Sequence, residues 1–164
     1  MFNKAAVFTD IHFGLKGNSK IHNDDCERFI DWYIEQAKAE GCEVGIFTGD
    51  WHHNRSALNL TTMDASLRSL EKLGAAFEKF YFFPGNHDLY YKDKREIHSV
   101  VFGKHVPGIT VVNEPMIVDD VALVPWLVGE EWKKVVKMKC KYMFGHFELP
   151  HFNMNAMVEM PDTG

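Results

Sequence analysis

Five of the nine histidines in this 164-residue chain fall in four short motifs that also carry aspartate, asparagine or glycine. The motifs are Asp10-Ile11-His12, Gly49-Asp50-Trp51-His52-His53, Gly85-Asn86-His87-Asp88 and Gly145-His146. Their side chains form a mixed oxygen and nitrogen donor set. An aspartate has two oxygens and can bridge two cations. An asparagine adds a neutral amide oxygen, a hard ligand without charge. Imidazoles complete a set that suits manganese, iron or zinc, and suits two ions better than one. His87 can donate a proton, and Asp88 beside it could fix its tautomer and raise its pKa. Taken singly, most of these motifs also read as ordinary polar turns. GNHD is the most specific, and the four reinforce one another if the fold brings them together.

The elements that must position them alternate. Lys4–Thr9 is a short apolar run that stops at Asp10, and Glu43–Thr48 is another that stops at Gly49-Asp50. Lys79–Phe83 is a third, closed by Pro84-Gly85, and Cys140–Phe144 is a fourth, ending at Gly145-His146. Between the first two, Asp24 and Glu27 suggest a capping box, with Phe29, Ile30, Tyr33, Ile34 and Ala37 at helical spacing and Gly41 as the stop. A second helix is expected from about Thr61, with Met63, Leu67 and Leu70 on one face and Gly74 after it. A third is expected over Lys94–Phe102, and a fourth over Glu130–Met138, its acids first and its lysines last. Ile109–Val112, Met116–Val118 and Val121–Val124 read as short strands between polar turns. Strands joined by helical crossovers give an α/β fold, in which chemistry collects beyond the carboxyl ends of the strands. Each of the four motifs follows a strand.

Composition narrows the classes. Thirteen Phe, four Trp and five Tyr require an interior and exclude a disordered chain. The longest apolar stretch, Val121 to Val128, is far below the ~20 residues of a membrane-crossing helix. The first ten residues carry no signal-peptide pattern, so a cytoplasmic protein is expected. Cys26, Cys42 and Cys140 are widely spaced and read as reduced thiols. A net charge of −5 speaks against a stand-alone, charge-driven nucleic-acid binder, but not against an enzyme that meets phosphate through bound cations. There is no GxxxxGK[ST], GxGxxG or GxSxG pattern, so nucleoside-triphosphate, dinucleotide and serine-hydrolase readings fall away. Lys133, Lys134, Lys137, Lys139 and Lys141 read as a solvated helix face, and Met154, Met157 and Met160 as filling for a core gap.

The order DxH, GDxxH, GNHD, GH resembles that of the calcineurin-like metallophosphoesterases. GDWHH, GNHDLYYKD and GHFELPHF are most similar to the nuclease branch that includes the SbcD-type subunit and the recombination nuclease subunit of T-even phages. The resemblance implies a sandwich of mixed sheets flanked by helices, in a single metallophosphoesterase domain over residues 1–164. It implies that Asp10 and His12 bind a first metal, that Asp50 bridges, and that Asn86 and His146 bind a second. His87 would stabilise the transition state or protonate the leaving oxygen, oriented by Asp88, and His53 would contact the scissile phosphate or place the DNA strand. The implied cofactors are two divalent ions, manganese first, with iron or zinc as alternatives. The implied reaction is hydrolysis of DNA phosphodiester bonds by a hydroxide between the two metals, in a recombination or repair complex. The implied partners are DNA, an SbcC-type ABC ATPase subunit and a second copy of the chain, with no membrane. Two alternatives stay open: a phosphoesterase for a small molecule or phosphoprotein on the same fold, and a non-catalytic scaffold piece. The family carries one further motif, Gly-His-x-His, that does not follow His146 here. The chain is therefore expected to be the N-terminal portion of its fold, with weak or single metal occupancy and an exposed sheet edge.

Overall fold

The computed structural model of the protein describes residues 3–155 and 157–161. Its elements run β1 (Ala5–Phe8), α1 (Leu15–Asn18), α2 (Lys20–Ala39), β2 (Val44–Phe47), α3 (Leu60–Ala76), β3 (Lys79–Phe82), β4 (Leu89–Tyr91) and β5 (Lys94–His98). A 3₁₀ turn (Val101–His105), β6 (Ile109–Val111), β7 (Met116–Val118), β8 (Val121–Val124), α4 (Trp132–Val135), β9 (Tyr142–Gly145), β10 (Asn153–Asn155) and β11 (Val158–Glu159) follow.

Two sheets carry the site. The first is parallel, in the order β1-β2-β3-β6, and the second has the order β7-β8-β9 with β8 and β9 parallel. Residues alternate across the first sheet because side chains in a strand point to opposite faces. Phe47, Phe80 and Phe82 face α2 and α3, where Ile30, Tyr33, Leu70 and Leu73 meet them. Val44, Ile46, Tyr81 and Phe83 face the other way, onto Val121 and Leu123 of the second sheet. The outer face of that sheet, Ala122 and Val124, is covered by Val135 of α4. The result is helices, sheet, sheet, helix: the expected sandwich. β7 and β9 are the outer strands of the second sheet among the described residues, and Tyr142 and Met143 of β9 are exposed.

Several local expectations are corrected. α2 begins at Lys20, one turn before the expected capping box, because Ser19 caps it by accepting from the His22 N–H. Asp24 and Glu27 lie inside the helix, paired with Lys20 and with Arg68 of α3. Phe29 and Met63 are exposed, so the buried faces are Cys26, Ile30, Tyr33 and Ala37 on α2 and Ala65, Leu70 and Leu73 on α3. Gly74 does not end α3 but lies within it, at a close approach where an added Cβ would stand 2.2 Å from the Pro107 carbonyl.

The helix expected over Lys94–Phe102 is absent. Its first half is β5, paired antiparallel with β4 through Leu89–His98 and Tyr91–Lys94, and its second half belongs to the 3₁₀ turn. Helix propensity is worth only a few tenths of a kcal/mol per residue. Burial of Leu89 and His98 and the bonds of Arg95 outweigh it. The Arg95 guanidinium, almost wholly buried, donates to Glu131 and to the carbonyls of Asn113 and Trp126. The helix over Glu130–Met138 shrinks to Trp132–Val135 with a turn on either side. Met157 is exposed and Met160 half-buried, so neither fills a core, and the Met154 side chain lies outside the described residues. The three cysteines are unpaired, and burial pushes the Cys26 thiol up to about 12. Among the described residues no helix is long and apolar enough to cross a membrane.

Candidate metal centre

The loops after β1 and β2 are zipped together where their strands stop. Asp10 N–H donates to the Gly49 carbonyl at 3.0 Å, His12 N–H to Asp50 at 3.1 Å and Phe13 N–H to Trp51 at 2.8 Å. Trp51 anchors this ladder from below, fully buried against Phe13, Phe47 and Phe82. The loop after β3 then closes on the loop after β2. Gly49 and Gly85 make that approach possible: a Cβ on Gly85 would lie 2.2 Å from Asp50 Oδ1, and one on Gly49 would lie 2.7 Å from the Gly85 Cα. Asp10, His12 and Asp50 all adopt left-handed backbone, at φ 56°, 51° and 64°. Such conformations are uncommon away from glycine and cluster at functional sites.

Asp88 holds the loops in place. Its carboxylate is fully buried and accepts from the N–H groups of Asp50 (2.9 Å), Trp51 (3.1 Å), His52 (2.8 Å) and Gly85 (2.9 Å). Burial pushes its carboxyl up to about 6, against the lowering pull of those donors. This corrects the expectation that Asp88 orients His87. Both Asp88 oxygens are taken by backbone donors, and His87 Nδ1 instead donates to the His53 carbonyl at 3.2 Å. His52, the other imidazole of the same motif as His53, is also structural. It is fully buried between Ser99 and Ser66, at 2.8 and 2.9 Å, and burial lowers its pKa to about 3.

Above this frame the expected donors converge. His12 Nε2 lies 3.5 Å from Asp10 Oδ1 and 3.6 Å from Asp50 Oδ2. His146 Nε2 lies 3.7 Å from Asp50 Oδ1 and 3.0 Å from the Asn86 amide oxygen. His146 reaches the site from β9 of the second sheet, not from a strand beside β1–β3 in one sheet, so two sheets build one cleft. Its ring is oriented by a bond no side-chain pattern reveals: Nδ1 donates to the Thr48 carbonyl at 3.0 Å. That tautomer leaves the Nε2 lone pair facing Asp50 and Asn86. Trp126 packs edge-on against the same ring, with centroids 5.8 Å apart.

The charges fit together in a way that asks for a cation. The Asn86 amide oxygen faces the Asp50 carboxylate and His146 Nε2, so acceptors meet there, and a reversed amide would be needed for Asn86 to donate to them. A divalent ion at this point satisfies all of them without reversal. On the other side, Asp10 and His12 stabilise each other. Burial raises the Asp10 carboxyl, but the His12 and Thr9 hydrogen bonds outweigh it and hold it below its ordinary value. The His12 imidazole is raised by its bond to Asp10, against desolvation. Asp10, His12 and Asp50 can each place one ligand atom within 4.8 Å of the others.

A profile of calcineurin-like phosphoesterases matches residues 4–156. The chain belongs to the calcineurin-like phosphoesterase family. Members of this metallophosphoesterase family use divalent metals, and the donor set just described fits that use. Exonuclease subunit 1 of Enterobacteria phage T4 is 27% identical over 152 residues, covering 87% of this chain and 45% of that protein. The chain thus spans about half the length of the curated relative it matches. The crystal structure of the Pseudomonas putida nuclease MPE aligns with 73% of this chain and 52% of that one, at 24% identity and a TM-score of 0.49. In this family member, His53 and His87 stand beside His12, one of the convergent donors. Their rings stack at 5.4 Å, and both meet the edge of His12, at 5.5 and 5.0 Å.

Proposed function

We propose that this phosphoesterase is a metal-dependent phosphodiesterase acting on DNA, working in the cytoplasm as the nuclease subunit of a recombination or repair complex. The observation that carries the reading is the position of Asp50. One of its oxygens faces His12 and the other faces His146, at 3.6 and 3.7 Å from the two imidazoles, with the Asn86 amide 3.2 Å from both oxygens. A single carboxylate between two donor groups is what a two-cation phosphoesterase needs. Asp10 and His12 would hold one ion, Asn86 and His146 the other, and Asp50 would bridge. When bound, two cations, manganese before iron or zinc, supply an activated water and neutralise charge on the phosphate oxygens.

The protein's own groups do the rest. His87 donates Nδ1–H to the His53 carbonyl, so its Nε2 is turned away from that bond and can hold a proton for the leaving oxygen. The His87 backbone N–H donates to Asp50 Oδ1 at 2.8 Å, which fixes the bridging carboxylate relative to that imidazole. His53, stacked on His87 and half-buried, can contact a phosphate oxygen or place the strand. Asp88 acts through the loops, not on substrate. The word subunit in the name of the phage relative supports a partner, which we take to be an SbcC-type ABC ATPase, with a second copy of the chain as a further contact.

A small-molecule phosphoesterase is the second reading, favoured by the net charge of −5, which repels a polyanion. Duplex DNA, single-stranded DNA and a phosphomonoester, each with added manganese, separate the two. Hydrolysis of DNA that is lost in both Asp50→Ala and His87→Ala, with manganese binding lost only in the first, is the expected result. Turnover of the monoester alone would overturn the nuclease reading. Equal manganese affinity in the two variants would overturn the assigned roles.

A further inference from the structure

His12, His53 and His87 form a second donor group that the oxygen-rich set does not use. A ligand nitrogen from each lies within 4.8 Å of the others. No carboxylate belongs to this group. The Nδ1 atoms of His12 and His53 are buried and, among the described residues, have no hydrogen-bond partner. His87 Nδ1 is committed to the His53 carbonyl, which leaves its Nε2 as the free donor. Two buried imidazole nitrogens without partners are costly in a protein interior, and an ion is one way to satisfy such atoms.

We propose that His12, His53 and His87 make a three-imidazole site for a borderline divalent cation, zinc above all, which competes with the oxygen-rich centre by taking His12 away from it. Neutral imidazoles favour zinc over manganese, whereas carboxylate and amide oxygens accommodate manganese. Three imidazoles with an open fourth position are an established donor set for zinc. With bonds of about 2.0–2.1 Å in tetrahedral geometry, the nitrogens must come to roughly 3.4 Å of one another. From separations within 4.8 Å, that is a closure of about 1.4 Å at most for each pair, within reach of side-chain rotation at the half-buried His53 and His87. His12 belongs to both donor groups, and a neutral imidazole ligates through one nitrogen only, so loading the imidazole site removes a ligand from the group of Asp10 and Asp50. Zinc would thus act as an inhibitor held by residues next to the reacting centre. The imidazole site itself does not depend on the nuclease reading. Only its inhibitory consequence rests on that reading.

The test reads binding before activity. Cobalt(II) is titrated into the metal-free protein and followed by visible absorption, and zinc by calorimetry, for the wild type, His53→Gln and His87→Gln. In the wild type, intense bands of a low-coordinate imidazole site should appear and be bleached by zinc. Both variants should lose the bands. Their zinc affinity should fall by at least about tenfold, since the loss of a residue that merely supports a metal ligand already has that effect. Manganese affinity should stay at the wild-type value in His53→Gln. One equivalent of zinc should weaken manganese binding more in the wild type than in that variant, where only direct competition at the oxygen-rich centre remains. Unchanged cobalt spectra and zinc affinity in both variants, with wild-type circular dichroism, would overturn the site. An equal loss of zinc and manganese affinity in His53→Gln would also overturn it, by placing His53 in the oxygen-rich centre. Absence of DNA hydrolysis would bear on the nuclease reading alone.

Discussion

Replacing Asp88 should destabilise the protein in two distinct steps. Its Oδ2 accepts from the N–H groups of Asp50, Trp51 and Gly85, and its Oδ1 from His52 N–H at 2.8 Å and Ser99 Oγ at 3.3 Å. In Asp88→Asn the amide oxygen can occupy the Oδ2 position and keep three backbone bonds. The new NH₂ group then faces the His52 N–H, and that bond is lost, while Ser99 Oγ can turn and accept. One lost bond, partly offset by no longer burying a charge, costs about 1 kcal/mol. In Asp88→Ala all four backbone donors lose their acceptor. At the lower end of about 1–3 kcal/mol for each, because water can enter the emptied volume, the cost is about 4 kcal/mol. That is a large fraction of the roughly 5–15 kcal/mol of a typical domain. Urea unfolding of the metal-free protein at pH 8, where the carboxylate is ionised, measures both. Manganese affinity should fall in the same order, since three of the four donors belong to residues 50 to 52, around the bridging carboxylate. An alanine variant no less stable than the asparagine variant would refute the reasoning, because it would mean that the four donors do not depend on this side chain.

Further outcomes concern other parts of the frame. His52 is neutral and buried, with a pKa near 3 in the folded state and about 6.5 when unfolded. The unfolded chain binds the extra proton between these values, so stability is lost as pH falls below 6.5, by up to about 1.4 kcal/mol per pH unit. Urea unfolding between pH 7.5 and 5 should show a shallower slope in His52→Gln, and the difference between the two proteins isolates this group from His98, which is lowered to about 4 in both. Arg95→Ala should cost about 3–5 kcal/mol by stranding Glu131 and two carbonyls, whereas replacing an exposed partner such as Lys72, paired with Asp31, should cost under about 1 kcal/mol. Thermal unfolding that ranks these two equally would contradict the burial argument. Gly85→Ala should cost about 1–3 kcal/mol and lower manganese affinity, because its Cβ would fall 2.2 Å from Asp50 Oδ1. Calorimetry showing wild-type affinity would refute the claim that this approach sets the position of Asp50.

Much of the site was legible because each donor motif sits where an apolar run stops. Thr48 ends a run whose alternating side chains are buried on both faces, and the next residues, Gly49 and Asp50, must then turn into the cleft. What local sequence could not show depends on distant partners. The carboxylate of Asp88 bonds to backbone 36 to 38 residues earlier in the chain, and proximity to His87 in sequence suggested the wrong partner. Lys94–His98 carries residues that tolerate a helix, and it is burial of His98 together with distant partners of Arg95, namely Glu131 and the Asn113 and Trp126 carbonyls, that makes the extended form the better choice. His146 was recognisable as a donor. That its strand belongs to a different sheet was not, because an apolar strand carries no mark of its neighbour.

The left-handed backbone of Asp10, His12 and Asp50 shows how the frame and the chemistry are connected. Three such residues cost of order 1–3 kcal/mol each, and the pairing of Asp10 with His12, partly exposed, offsets only part of this. The rest of the offset comes from outside: from the ladder that ties residues 10 to 13 to residues 49 to 51, from Trp51 in the core and from Asp88 beneath the loops. These contacts hold two carboxylates and an amide oxygen close together with His12 as their main compensation. In an unconstrained chain such acceptors would turn away from one another. Holding them together in advance raises the energy of the metal-free site and lowers the reorganisation a cation must cause on entering. The same contacts that over-determine the backbone therefore also set the site's demand for positive charge, and the lone pair that Thr48 turns inward on His146 points at the place where that charge would be taken up.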